Sequence, residues 1–193
     1  TNTSYQWTFW CDGKDNINLP MPSLKGAFQL QNASVSLAVS SQMQKIIPLD
    51  LGSIKKGLVD IKLVGRFQLV PGAPQVILDV CHNRQAAESL ARSMIKLPKV
   101  KKTIAVFGIL TSKNITSVIS ELKPHVDTWI VTELDSIRSF SGKQIQSFLI
   151  KMGVRPKDIL VRNSIGEAFF NAKRLASNSD RIIAFGSFLV VRK

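Results

Sequence analysis

Residues 79–84 read Asp-Val-Cys-His-Asn-Arg and follow the apolar run VIL, so a carboxylate, a thiol, an imidazole, an amide and a guanidinium fall within six positions. An ionised carboxylate next to such a run is costly to bury without a partner, which makes Asp79 a candidate ligand-binding group. His82 brings an imidazole to the same loop and is the candidate catalytic group. Asn83 has a plainer use: before the helical pattern QAAESLARSMIK it is a good N-cap, accepting from an orphan backbone N–H. Other catalytic fingerprints are missing. There is no GxxxxGK[ST], no GxSxG, no HExxH and no paired-cysteine zinc pattern, and the turn after QVILDV holds no glycine. No metal-ligating set is expected, and any catalysis must borrow parts from elsewhere.

The elements that position these groups follow from texture. From residue 66 onward the β-rich runs FQLV, QVILDV, TIAVFGIL, TWIVTEL, DILV and RIIAFGSFLVV alternate with helix-length segments at 83–96, 114–122, 141–151 and 164–177. That alternation predicts βαβ units and a mostly parallel sheet covered on both faces. FQLV and QVILDV are separated only by 71–74, too short for a helical crossover, so a hairpin is expected. In such sheets ligands gather beyond the carboxyl ends of the strands, which is where Asp79 falls. Upstream, YQWTFW predicts a strand, CDGKDN a polar turn, 26–44 a buried helix and 53–60 a second short one. The division is expected near 63–65, giving domains 1–64 and 65–193.

The charge is uneven. Residues 1–64 carry six Lys and Arg against four acids, whereas 65–193 carry twenty against nine. A basic half of this kind fits either a nucleic-acid footprint or a funnel for an anionic small molecule. Lys96, Lys99, Lys101 and Lys102 form a cluster able to neutralise phosphates. They are not interleaved with the aromatic side chains that single-strand binders stack on, and a solvated loop is the plainer reading. A hydrophobic share of 45% fits a globular chain, and no run approaches the roughly 20 apolar residues of a membrane span. Two widely spaced cysteines, Cys11 and Cys81, predict reduced thiols and a cytoplasmic setting. The first residues lack both a Met and a secretory layout, so a start in mid-protein is expected.

LVGRFQLV, VILDVCHNRQAAESL, AVFGILTSKNI, ELDSIRSFSGKQI and IIAFGSFLVV resemble, in order and spacing, the C-terminal domain of folylpolyglutamate synthase and bifunctional dihydrofolate synthase. These are ATP-dependent amide ligases related to the muramyl-peptide ligases. LKGAFQLQNASVSLAV is similar to a helix near the end of that family's central P-loop domain, with Asn32 in a Gln-x-x-Asn-Ala setting. The resemblance implies an α/β fold, with a Rossmann-like C-terminal ligase domain preceded by the tail of the central domain. It also implies ATP held between the two domains with Mg²⁺, an acyl phosphate formed on a folate or dihydropteroate carboxylate, and attack by the amine of L-glutamate. By the same resemblance Asn32 and Asp79 contact the nucleotide, Arg66 reaches the phosphates, and His82 faces the glutamate or acyl-phosphate region. A guanidinium suits charge on a transferring phosphoryl group, and a carboxylate suits ribose hydroxyls. Ser187, at the same edge, is equally a packing residue.

The chain departs from the family at Arg84, where Pro is usual, and at 112–114, where Ser-Lys-Asn replaces an acidic loop. Lys113 and Arg138 then read as candidate loop cations with a solvated alternative. The P-loop, the Mg²⁺ ligands and the pteridine site of the family would lie upstream of Thr1, so a fragment inactive alone is expected. A basic α/β nucleic-acid-binding module is the alternative.

Overall fold

The computed structural model describes residues 5–10, 17–26 and 28–192. They form two compact units, 1–63 and 64–193, close to the boundary expected from the sequence.

In the first unit β1 (Gln6–Phe9) pairs antiparallel with β2 (Ile17–Pro20). The turn expected at 11–16 lies outside the described residues. Helix α1 spans Gln29–Gln42 and α2 spans Leu51–Asp60. α2 begins two residues before the expected Ser53, because the Asp50 carboxylate accepts from the Ser53 backbone N–H at 2.9 Å and opens the helix there. In α1 the hydroxyls of Ser34, Ser36 and Ser40 donate to the carbonyls four residues back, which satisfies polar side chains within the helix. The core here is small: Phe9, Leu19 and Leu37, with Trp7, Ile17, Ile54 and Leu58 against them. Contrary to the buried helix expected, α1 buries only Leu37 and leaves Val35 and Val39 more than half exposed. Serines at 34, 36, 40 and 41 split its apolar positions over several faces, so no single stripe forms.

The second unit holds a six-stranded sheet in the order β3-β4-β8-β5-β6-β7. Its strands are β3 (Gln68–Val70), β4 (Gln75–Leu78), β5 (Thr103–Phe107), β6 (Thr128–Thr132), β7 (Ile159–Arg162) and β8 (Arg181–Phe185). β3 and β4 form the expected hairpin, and the other four pairings are parallel. The crossovers are α3 (Arg84–Ile95), α4 (Ile115–Leu122), α5 (Gly142–Lys151) and α6 (Ile165–Leu175), and the last described turn is α7 (Phe188–Val191).

Alternate residues of the central strands feed two separate cores. Ala105, Phe107, Trp129, Val131, Ile183 and Phe185 pack with α3, α4 and α5, whereas Ile104, Val106, Ile130, Ile182 and Ala184 pack with α6. Both faces are thus apolar, which is why these strands read as continuous hydrophobic runs rather than alternating ones. Phe107, Trp129 and Phe185 meet at ring centroid distances of 4.8–6.1 Å across three strands. The long run 181–191 is not one strand. Gly186 takes φ 112°, and Ser187 then caps α7 by accepting from the Leu189 N–H at 3.2 Å. No helix among the described residues is long and apolar enough to cross a membrane.

Candidate functional site

The carboxyl ends of the parallel strands gather the residues that the sequence singled out. β4 stops at Leu78, and Asp79 follows it. Its Oδ1 accepts from the Cys81 backbone N–H at 2.8 Å and its Oδ2 from the Phe67 N–H at 2.8 Å. One carboxylate therefore ties the start of the 79–83 loop to the 65–67 turn across the hairpin. Burial pushes the Asp79 carboxyl above its usual range, while those two N–H donors and the nearby charges of Arg66 and His82 pull the other way.

The 65–67 turn needs that tie. Phe67 has φ 45°, which is uncommon for a residue with a bulky side chain, and its ring is buried in the core. Gly65 has φ 71°, and a Cβ there would come within 2.6 Å of Val80 Cγ2 and 2.9 Å of Val191 Cγ2. The Val80 N–H donates to the Gly65 carbonyl at 2.8 Å, and the Gly65 N–H donates to Gln68 Oε1 at 3.1 Å. Between these two fixed residues Arg66 is exposed. Its guanidinium carbon stands 5.7 Å from the centroid of the Phe188 ring, within cation–π range, and it makes no ion pair among the described residues. The turn thus presents a guanidinium with no ion-pair partner among the described residues, backed by an exposed aromatic face, a group whose chemistry suits an anion.

His82 is half-buried, with Nδ1 3.0 Å from the Val80 carbonyl. A carbonyl only accepts, so Nδ1 carries the proton and Nε2 is the basic nitrogen. Asn83 caps α3 by accepting from the Ala86 N–H at 2.8 Å, as expected. Arg84 donates through Nε to Glu121 at 3.0 Å and links α3 to α4. Ser187 is buried and occupied as the α7 cap.

The loops after β5 and β6 are fastened to each other at this edge. Leu110 bridges Ser139, and the Thr111 N–H donates to the Arg138 carbonyl at 2.7 Å, so the loops bearing Lys113 and Arg138 are held together. Asn32 belongs to the other unit. It is exposed in the first turn of α1, its Nδ2 donating to Gln29 Oε1 at 3.4 Å. Arg66, Asp79 and His82 are therefore brought together, and Asn32 stands with the first unit. Phe67 and Phe188 were not anticipated as site residues. The only signal for them was their place beside the glycines of the GRF and GSF triplets.

The sequence pattern of the family described as Mur ligase, glutamate ligase domain, matches residues 65–188, most of the second unit. The chain belongs to that family. Among curated relatives, the dihydrofolate synthase/folylpolyglutamate synthase of Escherichia coli is 32% identical over 190 residues, covering 98% of this chain and 42% of its own length. Among solved structures, Escherichia coli FolC in complex with DHPP and ADP superposes with a TM-score of 0.81 at 30% identity, over 99% of this chain and 43% of that one. A Yersinia pestis folylpolyglutamate synthase/dihydrofolate synthase complexed with AMPPNP and Mn ion gives 0.78 at 31% identity, over 93% and 40%. The chain thus spans less than half the length of these relatives. The mixed α/β fold expected from the sequence, with a mostly parallel sheet in its ligase domain, is the fold they share.

Proposed function

We propose that this chain is the C-terminal portion of an ATP-dependent ligase that joins L-glutamate to a folate or dihydropteroate carboxylate through an acyl phosphate. In that reading 64–193 is the ligase domain, and 1–63 is the end of a central nucleotide-binding domain. The observation that carries it is the braced 65–67 turn. It presents Arg66 with its charge unspent at the carboxyl edge of the sheet, inside the segment that matches the glutamate ligase family.

Arg66 takes the phosphates of the nucleotide, as a preorganised cation aimed at developing charge. Asp79 keeps lone pairs beyond those given to Phe67 and Cys81, and these accept from the nucleotide's hydroxyls. His82, with Nε2 basic, faces the acyl-phosphate and glutamate side, and Asn32 adds a nucleotide contact from the first unit. The exposed Val35, Val39, Ile46 and Ile47 support the reading of 1–63 as part of a larger domain, since so many exposed apolar residues belong in an interface. Among the described residues no group of three or more His, Cys, Asp or Glu is placed to hold a metal ion. The residues present do not fit Mg²⁺. The basic surface supports the nucleic-acid alternative less well, because the cations of the carboxyl edge stand in a family of ligases.

Two measurements test this. Titration of the chain with ATP, followed by NMR, is expected to shift residues 65–67 and 188 saturably and to lose that response in Arg66→Ala. A purified chain that turned over ATP with folate and glutamate would overturn the fragment reading, as would tight, steeply salt-dependent oligonucleotide binding with no nucleotide response.

A further inference from the structure

The opposite edge of the sheet carries a cavity. Parallel strands of about five residues at roughly 3.3 Å per residue separate the two edges by about 17 Å. At the amino ends of β5, β6 and β7 a cavity of about 500 Å³ is lined by residues that include Lys102, Lys123, Asp127, Trp129, Arg155 and Asp158. No group assigned to the ligase reaction lies there.

Three cations of this cavity keep hydrogen-bond donors to offer. Each carboxylate is engaged through one oxygen: Asp127 Oδ2 accepts from the Thr103 N–H at 2.7 Å, and Asp158 Oδ2 accepts from Arg155 Nε at 2.6 Å. Arg155 has used only Nε, so both of its η nitrogens keep their protons. Lys123 gives one proton to the Met152 carbonyl at 2.8 Å and keeps two. The Lys102 ammonium makes no ion pair among the described residues, its charge being felt by Asp180. Trp129, also among the lining residues, is 1% exposed. Its Nε1 is one of two buried side-chain polar atoms among the described residues with no hydrogen-bond partner, and such orphan donors are rare in a native interior. The loop 96–102, with Lys96, Lys99 and Lys101, feeds the same edge and adds positive field. A cavity of this size, with three cations against two carboxylates that each already accept a hydrogen bond, favours an acceptor-rich ligand.

We propose that this cavity is a second binding site, separate from the ligase edge, for a small multiply charged anion of the phosphate type.

Inorganic pyrophosphate is the probe, read on the indole N–H resonance of Trp129, which is assigned by its persistence in Trp7→Phe and Trp10→Phe chains. The expected result is a saturable shift, weakened at least about tenfold in Lys123→Ala/Arg155→Ala, a difference worth about 1.4 kcal/mol. The shift is expected to persist in Arg66→Ala, which separates this site from the nucleotide edge. Thermal unfolding of the double variant is recorded alongside. If that variant fails to fold, Lys102→Glu, an exposed change, replaces it and is expected to weaken the shift. The proposal falls if the shift never saturates, if sodium chloride of equal ionic strength reproduces it, or if Arg66→Ala abolishes it. It falls equally if a folded variant at the cavity leaves the shift unchanged, or if an oligonucleotide displaces pyrophosphate at a lower concentration than inorganic triphosphate does.

Discussion

Removing the Asp79 carboxylate should release the 65–67 turn. In Asp79→Ala two backbone N–H groups, those of Phe67 and Cys81, lose a charged acceptor at 2.8 Å. Hydrogen bonds to a charged group contribute about 1.5–3 kcal/mol each, and the burial that raises the Asp79 pKa offsets part of that gain. The net loss is about 2–4 kcal/mol, with the Val80–Gly65 and Gly65–Gln68 hydrogen bonds and the buried Phe67 ring left to hold the turn. For a chain of this size that corresponds to a fall of roughly 5–15 °C in Tm. Amide hydrogen exchange is the sharper assay, since the loss is local. Exchange at Phe67 and Cys81 should accelerate at least about thirtyfold, by the same conversion of free energy to rate ratio. Asp79→Asn should lie between, because its oxygen accepts from one N–H while its amide nitrogen confronts the other. Unchanged protection at both amides, with an unchanged Tm, would falsify the view that Asp79 braces the Arg66 turn.

Other outcomes follow from the same geometry. Gly186→Ala should destabilise by about 3 kcal/mol or more and yield little folded protein, because a Cβ at φ 112° would lie 2.2 Å from the Gly108 carbonyl oxygen, both being backbone at the end of the central strands; a near-native Tm would contradict this. Burial, and then the charge of Asp79, push the Cys81 thiol well above the ordinary 9.0. A raised folded pKa means stability is fully present below the unfolded value and is lost as pH rises past it. Urea midpoints should therefore fall above about pH 9, and fall less steeply in Cys81→Ala. Native Cys81 should also resist thiol reagents at neutral pH, because it is 1% exposed and protonated.

The α/β alternation, the 71–74 hairpin and the helix starts were legible because each has a local cause: hydrophobic runs too short for buried helices, a link too short for a crossover, and Asn or Ser side chains that can cap. Asn83, Asn114, Ser141 and Ser164 all cap where the pattern placed a helix start. The end of the run 181–191 was not legible in the same way, because FLVV suits a strand and a helix equally. The turn at Gly186 decided it. α1 shows the reverse failure, since helical spacing was present while the expected burial was not.

By itself the sequence determined that a mostly parallel sheet would carry Asp79 and His82 to its carboxyl edge, because strand direction follows from connection length. It also determined that positive charge would concentrate after residue 64. Only the tertiary structure decided that Asp79 gives one oxygen to a turn twelve residues upstream, that Arg66 stands over Phe188, and that Lys102, Lys123 and Arg155 converge on one cavity. These contacts join residues far apart in the chain. Their formation depends on strand order and loop closure, which no local propensity encodes.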